Sequence, residues 1–359
     1  METPNQTDDL SADAQDELAD AFLKRFCAKP FEVKPGVYVR CQSRSTAVCQ
    51  SCAGIYSGDW RAIIRSGVFD ADTSGFRFFM LTLTAPSFGA VHSSGKVGQE
   101  ERRCRCGARH DDDERLLAGT PISPDTYDYT AAAAWNRDLG ALIDVTRNRI
   151  RRRHPDFEYC IVREWQSRLS LHVHALIRVP TTDGPSASEI TEIAKTTWAS
   201  SRVDGTVVRW GDQARCDEFP TTEDGAATIS YLAKAINYLA KDVLLRPASD
   251  ARLHYDRFHR AARMEMNCAK CVNRDPYMCR AKIHDNLGAR QHVVSASRRT
   301  ADRPGWSMTG LTRGGQREGR RAWASDAVAA EGDQARRSYR QAAGVWAASH
   351  KRAAAQSIF

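Results

Sequence analysis

Two histidines lie one residue apart in the stretch SLHVHALIRV, residues 170–179, whose other residues are mostly apolar, as in a buried strand. Side chains at positions i and i+2 of a strand face the same side of a sheet, so His172 and His174 point together. Paired imidazoles can bind a divalent metal ion. Such a pair is more often hydrogen-bonded without a metal, so the histidines alone do not decide between the two.

A carboxylate is expected beside this pair. Glu164 is the next-to-last residue of a second strand-like run, residues 159–165. The polar segment QSRL joins this run to the histidine strand. The two runs are predicted to form a β-hairpin. A tight turn would place Glu164 opposite the histidines, and two imidazoles with one carboxylate leave metal positions open for water or substrate. The pattern therefore predicts a catalytic metal site, and a surface ion pair of Glu164 with a neighbouring arginine is the alternative.

The motif Tyr-Leu-Ala-Lys occurs twice, seven residues apart, in the strongly helical segment 225–245. In each copy the tyrosine and the lysine share a helix face, so the ammonium group can favour the ionised phenol or stabilise phosphate charge. A tyrosine can attack a DNA phosphodiester and form a bond that is later reversed. Half-buried tyrosines and solvated lysines on an amphipathic helix are the alternative. The candidate catalytic residues are Tyr231, Lys234, Tyr238 and Lys241.

The 11 cysteines of the chain are clustered, which indicates metal ligands rather than disulfides in a reducing compartment. One structural zinc site is predicted, with Cys41 and His110 as alternative ligands, from Cys49, Cys52, Cys104 and Cys106. A possible second zinc site has looser spacing and comprises Cys268, Cys271, Cys279 and His284. Four protein ligands leave no open position, so both zinc ions would be structural. Unrelated buried cysteines are the alternative.

Basic charge is concentrated toward the C-terminus. The formal net charge is +8, and residues 290–359 hold 13 Lys and Arg against 5 Asp and Glu, so this segment accounts for the whole excess. Arginines interleaved with Gly and Trp can contact phosphates and stack on bases. A solvated, disordered tail is the alternative. The candidate DNA-binding residues are Arg298, Arg299, Arg313 and Arg317.

The candidate metal ligands lie on predicted strands and the candidate tyrosines on a predicted helix, so a sheet with packed helices is expected to position them. FRFFMLTLTAPS, residues 76–87, is predicted to be a buried strand stopped by Pro86. Residues 129–153 carry an apolar stripe and are predicted to form a helix, followed by a short helix at 189–200 and a strand at GTVVRW. The predicted fold class is α+β, with a central antiparallel sheet of about five strands, flanking helices and zinc-stapled extensions.

Composition excludes several classes of protein. Apolar residues make up 42% and charged residues 27%, and no apolar run reaches the about 18 residues of a membrane span. The first residues lack the basic and apolar regions of a secretory signal, so a cytoplasmic location and no membrane partner are expected. No GxxxxGK[ST] motif is present, so no nucleotide cofactor is expected.

Six segments, in this order, resemble the plasmid and integrative-element replication initiators of actinobacteria. The resemblance covers roughly residues 41–299, and the segments read FMLTLTAPSFGAVH, CRCG, YDYTAAAAWNRDLGAL, VREWQSRLSLHVHALIR, YLAK and HDNLGARQHVVSASR. The histidine pair followed by Tyr-x-x-Lys resembles the HUH endonucleases, named for histidine–hydrophobic–histidine, of the rolling-circle superfamily. Six ordered motifs are more specific than any one of them.

This resemblance implies an HUH-endonuclease core that nicks and rejoins single-stranded origin DNA to start rolling-circle plasmid replication. His172, His174 and Glu164 would bind Mn²⁺ or Mg²⁺, and a tyrosine would attack phosphorus, leaving a 5′-phosphotyrosine and a free 3′-OH. Tyr238 is favoured because AINYLAKDV keeps the best local match, with Tyr231 as a second nucleophile. The implied partners are single-stranded and origin DNA, with a host helicase and polymerase.

Two features depart from the family pattern. Arg168-Leu169 precedes the histidines where the family has Arg-Gly, so the hairpin turn is expected to differ, and three extra residues separate the YLAK copies, so the choice of nucleophile stays open. A conjugative relaxase with the same chemistry and a non-catalytic, zinc-stabilised DNA-binding regulator are alternative functions. A hydrolytic metalloenzyme is disfavoured because HVHALI lacks a following Asp-His.

Five regions are predicted along the chain. They are an acidic leader with an amphipathic helix at 1–30, a zinc-binding segment at 31–75 completed by 104–110, an HUH nickase domain at 76–250, a helix with the second Cys/His cluster at 251–300, and a basic, flexible tail at 301–359.

Overall fold

The computed structural model describes residues 27–34, 37–44, 46, 48–68, 74–93, 103–108, 110, 117–220, 249–290, 294–297, 313, 315 and 318. The chain divides into two compact units, residues 1–309 and 310–359. The described residues of the second unit, Arg313, Gly315 and Glu318, are helical. Within the described part of the chain, no helix is long and apolar enough to cross a membrane.

The first unit is built on a five-stranded antiparallel sheet with the strand order β8-β3-β5-β4-β9. Two separate two-stranded hairpins pair β1 with β2 and β6 with β7. In chain order the strands are β1 (Phe31–Lys34), β2 (Val37–Val39), β3 (Phe76–Leu83), β4 (Glu158–Trp165), β5 (Leu171–Pro180), β6 (Trp198–Ser200), β7 (Val207–Arg209), β8 (Arg215–Phe219) and β9 (Val294–Ala296).

Helices flank this sheet. In chain order they are α1 (Gln50–Val68), α2 (Tyr129–Arg153), α3 (Ala187–Lys195), α4 (Ser249–Met264) and α5 (Lys282–Asp285), with a 3₁₀ turn at Pro276–Met278. The prediction of an α+β fold with a five-stranded antiparallel sheet and flanking helices is confirmed. The predicted helix at 129–153 coincides with α2, and the β4–β5 hairpin forms as expected.

The short helix predicted at 189–200 was placed too far along the chain. Helix α3 ends at Lys195, and residues 198–200 form β6 instead. The Thr197 hydroxyl donates to the Ile193 carbonyl at 2.5 Å, and the Thr196 hydroxyl donates to Glu192 at 2.8 Å. These bonds close the last helical turn, after which the chain pairs with β7.

Central strand β5 is buried on both faces, which explains its nearly continuous apolar sequence. Alternate residues from Leu171 to Val179 pack with Trp135 and other residues of α2 in one core cluster. Leu176, on the opposite face, packs with Tyr56 and Ile64 of α1 in a second cluster. The histidines share this second face of β5.

Asn136 ties helix α2 to the turn that joins β4 and β5. Its side chain is buried, donates to the carbonyls of Leu169 at 3.1 Å and Leu287 at 2.9 Å, and accepts from the Leu171 amide at 2.9 Å. One side chain thus satisfies three backbone groups that helix and strand pairing leave open. The bonds to Leu169 and Leu171 fix both ends of the turn segment before the histidines.

Replacing Asn136 by alanine is expected to reduce the free energy of unfolding by about 2–3 kcal/mol, because buried backbone groups lose their partner. Chemical denaturation followed by circular dichroism measures this change. Asn148→Ala on the same helix is the control, since Asn148 is exposed, and its effect should stay within about 0.5 kcal/mol. Equal losses from the two variants would contradict the role given to Asn136.

Candidate functional site

Three strands of the sheet bring together the residues of the candidate metal site. Glu164 on β4 lies directly across from His172 on β5, and His174 lies directly across from Thr82 on β3. The β4–β5 turn is closed by the Gln166 amide donating to the Ser170 carbonyl at 3.0 Å. The predicted juxtaposition of Glu164 with both histidines is present, and one ligand atom from each lies within 4.8 Å of the others.

Both imidazoles converge on one carboxylate oxygen. Nε2 of His172 lies 3.0 Å from Glu164 Oε2, and Nε2 of His174 lies 3.2 Å from the same oxygen. The side chain of His174 is only 3% exposed, whereas those of His172 and Glu164 are 14% and 17% exposed. The three donors therefore lie together, with His174 enclosed and the side chains of His172 and Glu164 partly exposed to solvent.

Thr82 orients the buried histidine. Its hydroxyl lies 3.0 Å from His174 Nδ1. When Nδ1 keeps its hydrogen and donates it to this hydroxyl, the Nε2 lone pair faces Glu164 and is free for a metal ion. Sequence analysis did not identify Thr82, because LTLT on β3 has the composition of any buried strand. Only the pairing of β3 with β5 reveals it.

The ionisation of the site suits a divalent cation. Burial raises the pKa of Glu164, but hydrogen bonds from His172 and His174 outweigh it and lower this pKa to about 2. Burial also lowers the pKa of His172 below its usual value. At neutral pH the carboxylate is charged and the His172 imidazole is neutral, and these are the forms that bind metals.

Contacts with neighbouring loops hold the turn in place. Arg168 donates to the carbonyls of Ala85 at 2.8 Å and Pro86 at 2.9 Å, just beyond the end of β3. Gly119 packs so closely on the turn that a Cβ atom there would lie 2.5 Å from the Ser167 carbonyl carbon. The Arg168 guanidinium thus donates to backbone carbonyls. Glu164 contacts the two histidines instead of forming the alternative surface ion pair with an arginine.

Leu169, which stands where the family has glycine, adopts the left-handed backbone conformation in this turn. Leu169 has a φ of 60°, a conformation that glycine adopts at lower cost. The Leu169 side chain is buried in a cluster with Phe258 and Leu287. Packing of the Leu169 side chain therefore offsets the conformational cost of its positive φ, so the turn forms without the glycine of the family pattern.

The predicted four-cysteine zinc set is divided by the structure. Cys49 and Cys52 lie in a cluster with Cys27 and Cys41, whereas Cys104 and Cys106 lie in another cluster with His92 and His110. A single site from the two cysteine pairs is therefore wrong as a geometric prediction. Each pair is completed by residues near it in the chain, because the hairpin β1–β2 returns Cys41 to Cys27 and the 103–110 loop returns to His92.

The second predicted set is brought together as expected. The Sγ atom of Cys268 lies 3.6 Å from that of Cys271 and 3.8 Å from that of Cys279, and Cys271 Sγ lies 3.4 Å from His284 Nε2. His284 Nδ1 donates to the Ala262 carbonyl of α4 at 2.6 Å, which leaves Nε2 facing the sulfurs. This arrangement is that of a four-ligand metal site.

Several predicted residues lie outside the described part of the chain. They are the candidate catalytic residues Tyr231, Lys234, Tyr238 and Lys241 and the candidate DNA-binding residues Arg298, Arg299 and Arg317. Arg313 is described, half-buried, in the second unit. Their roles stay predictions.

Comparison with known proteins assigns the chain to a family. The model of the family RepSA, described as "Replication initiator protein, pSAM2", matches residues 30–357. The chain belongs to this family. A replication initiator protein from Streptomyces ambofaciens is 37% identical over 192 residues, which cover 47% of this chain and 39% of that relative. The chain thus aligns with well under half the length of this initiator. No solved structure matches the chain significantly.

The Glu164, His172 and His174 site is expected to bind Mn²⁺. Glu164→Gln should weaken binding at least about tenfold because an amide replaces the anionic ligand, and Thr82→Val should weaken it about tenfold through the lost orientation of His174. Titration followed by electron paramagnetic resonance of free Mn²⁺ measures both.

Matched controls are available on helix α3, away from the site. They are Glu192→Gln, at an exposed glutamate, and Thr191→Val, at a half-buried threonine. Both should retain the affinity of the unaltered protein. Unchanged affinity in Glu164→Gln would remove the carboxylate from the ligand set.

Proposed function

We propose that this chain initiates replication by nicking one strand of its origin DNA, with Mn²⁺ or Mg²⁺ held by Glu164, His172 and His174. The observation that carries this proposal is the convergence of both Nε2 atoms on one carboxylate oxygen, beside His172 and Glu164 side chains that are partly exposed to solvent. Membership of the replication initiator family supports the biological role. The proposal includes an HUH-endonuclease core formed by the five-stranded sheet.

The proposed reaction exchanges one phosphodiester bond for another. Glu164, His172 and His174 would hold a divalent ion, which would supply Lewis-acid stabilisation of charge on the scissile phosphate. The Tyr238 hydroxyl loses its proton and its oxygen attacks phosphorus, the bond to the 3′ oxygen breaks, and that oxygen takes up a proton. The products are a 5′-phosphotyrosine and a free 3′-OH, with Lys241 steadying the charge. Reversal of the same step reseals the strand.

Glu164 and the histidines have the proposed task of positioning the phosphate. The charged Glu164 carboxylate and the two imidazoles would supply three ligands to a divalent ion, and phosphate oxygens or water could supply the others. The turn contacts of Arg168 and the Thr82 hydroxyl hold these donors in register. Such preorganisation lowers the cost of assembling the reactive geometry.

The alternatives differ in what they explain. A conjugative relaxase would use the same chemistry, and membership of a replication initiator family favours replication over transfer. A zinc-stabilised DNA-binding regulator accounts for the cysteine clusters and the basic segment but not for the converging Glu164, His172 and His174 donors.

DNA contact by the basic C-terminal segment is part of the proposal. Arg298, Arg299, Arg313 and Arg317 would neutralise phosphates of single-stranded or origin DNA. A host polymerase would extend the 3′-OH, and a host helicase would separate the strands. A structural zinc ion at Cys268, Cys271, Cys279 and His284 would hold the segment after α4 in place.

Incubation of the protein with Mn²⁺ and labelled single-stranded origin DNA is expected to give a covalent protein–DNA adduct on a denaturing gel. Tyr238→Phe should abolish the adduct, because no phenolic oxygen remains to attack, whereas Tyr231→Phe should retain most of it. Tyr277→Phe is the matched control, since Tyr277 is 59% exposed on the 3₁₀ turn Pro276–Met278.

Each other outcome has a defined meaning. No adduct from the unaltered protein on either origin strand would refute the nickase proposal. Loss in Tyr231→Phe with retention in Tyr238→Phe would transfer the role of nucleophile to Tyr231. Adduct formation that persists in the presence of a chelator would remove the divalent ion from the proposed mechanism.

A further inference from the structure

We propose that the N-terminal half of the chain carries two separate structural zinc sites. The first comprises Cys27, Cys41, Cys49 and Cys52, and the second comprises His92, Cys104, Cys106 and His110. Together with the set after α4, the described residues would then hold three structural zinc ions. Four of the eight proposed ligands, among them Cys27 and His92, were not part of the predicted four-cysteine set.

The spacing of donor atoms in the second site is that of a zinc tetrahedron. Zinc bonds of about 2.3 Å to sulfur and about 2.0–2.1 Å to nitrogen give edges of about 3.3 Å between nitrogens and about 3.6 Å between nitrogen and sulfur. His92 Nδ1 lies 3.1 Å from His110 Nε2. Cys104 Sγ lies 3.8 Å from His92 Nδ1, and Cys106 Sγ lies 3.2 Å from His110 Nε2.

Backbone amides in the second site are arranged for bound thiolates. The Ser93 amide, next to His92 in the chain, donates to Cys104 Sγ at 3.4 Å. The loop turns sharply after Cys106, where Gly107 has a φ of +90° and donates to the Cys104 carbonyl at 2.9 Å. This turn brings the two sulfurs of the Cys-x-Cys pair to one side, toward the histidines.

The first site encloses the hairpin β1–β2. Cys27 precedes the hairpin, Cys41 follows it, and Cys49 and Cys52 lie at the start of α1. Three amides donate to two of the sulfurs: Cys41 to Cys27 at 3.2 Å, and Ala28 and Cys52 to Cys49 at 3.3 Å and 3.4 Å. Amide-to-sulfur bonds of this kind neutralise thiolate charge around a metal ion.

The hairpin needs such a ligand because it has little core of its own. Phe31 and Val33 on β1 are 49% and 50% exposed, and the strands are only four and three residues long. An isolated two-stranded hairpin is marginally stable in water. Zinc binding by four thiolates would supply the missing folding free energy, as in small metal-dependent modules.

Disulfide formation does not explain these clusters. None of the 11 cysteines is in a disulfide, and the second site offers two cysteines with two imidazoles, a ligand set of zinc sites. The chain is therefore assigned two zinc ions here rather than two or more disulfides.

The second site is also hydrogen-bonded to the segment, residues 119–120, that packs against the β4–β5 turn. The His92 amide donates to the Thr120 carbonyl at 2.8 Å, and the His92 carbonyl accepts from the Gly119 amide at 2.8 Å. Gly119 in turn contacts the backbone of Ser167. Loss of the second zinc ion should therefore weaken Mn²⁺ binding at Glu164, His172 and His174, an effect that rests on the proposed function of that site.

Zinc content measured by mass spectrometry of the purified full chain is expected to be three ions per chain. The double variant Cys27→Ser/Cys41→Ser should hold two, and the double variant Cys104→Ser/Cys106→Ser should also hold two. Cys216→Ser, at a half-buried cysteine on edge strand β8 outside every cluster, is the matched control and should hold three.

A single site built from Cys49, Cys52, Cys104 and Cys106 makes a different prediction. The unaltered chain would then hold two ions, and Cys27→Ser/Cys41→Ser would lose none. A Cys27→Ser/Cys41→Ser variant that loses no zinc ion would overturn the proposal. Zinc content is measured without DNA, so failure of the nicking assay leaves this result unaffected, and failure here leaves the nicking assay unaffected.

Cobalt substitution tests the proposal even if a variant does not fold. Thiolate-to-cobalt charge-transfer absorbance scales with the number of sulfur ligands, and the three sets contain four, two and three cysteines. The unaltered chain should therefore bind three Co²⁺ ions at saturation, with a charge-transfer absorbance that corresponds to nine thiolate ligands. Saturation at two ions with the absorbance of seven thiolates, the four and three of the single-site arrangement, would overturn the proposal.

Discussion

The cross-strand pairing of Glu164 with His172 is the contact on which the candidate site depends. Side chains alternate between the faces of a strand, so a slip of one residue between β4 and β5 would turn Glu164 to the opposite face from both histidines. The register is held by the Asn136 side chain, by Arg168 on the carbonyls after β3, and by Gly119 against the turn. Much of the buried polar structure near the turn therefore serves this one alignment.

The position of the site within the sheet explains its electrostatics. His174 lies on the central strand and is fully enclosed, whereas Glu164 and His172 lie beside the hairpin turn and reach solvent. Burial alone would favour a neutral carboxyl group, and the hydrogen bonds from two imidazoles reverse that preference. The same enclosure keeps the His172 ring neutral. A cation is therefore the ligand that best suits this charged carboxylate and its neighbouring imidazole nitrogens.

The peripheral segments follow a different physical rule from the sheet. The sheet is covered by apolar clusters on both faces, whereas the β1–β2 hairpin exposes Phe31 and Val33, and residues 103–108 contain no strand or helix. Short segments of this kind gain order from metal ligands rather than from buried area. This combination of candidate metal-ligand clusters occurs in a member of the replication initiator family.

Local sequence patterns predicted the parts of the molecule that depend on local geometry. The period-two placement of His172 and His174, the β4–β5 hairpin and the bounds of α2 could all be obtained from residue order. Partners far apart in the chain could not. Thr82 lies 92 residues from His174 in sequence and carries no pattern of its own.

The cysteines show the same division. Sequence spacing identified the close pairs Cys49–Cys52 and Cys104–Cys106, because residues so near in the chain must be near in space. Which pair joins which further ligand depends on where the hairpin and the loop return. The tertiary structure therefore decided the metal clusters, bringing Cys27 and Cys41 to the first pair and His92 and His110 to the second.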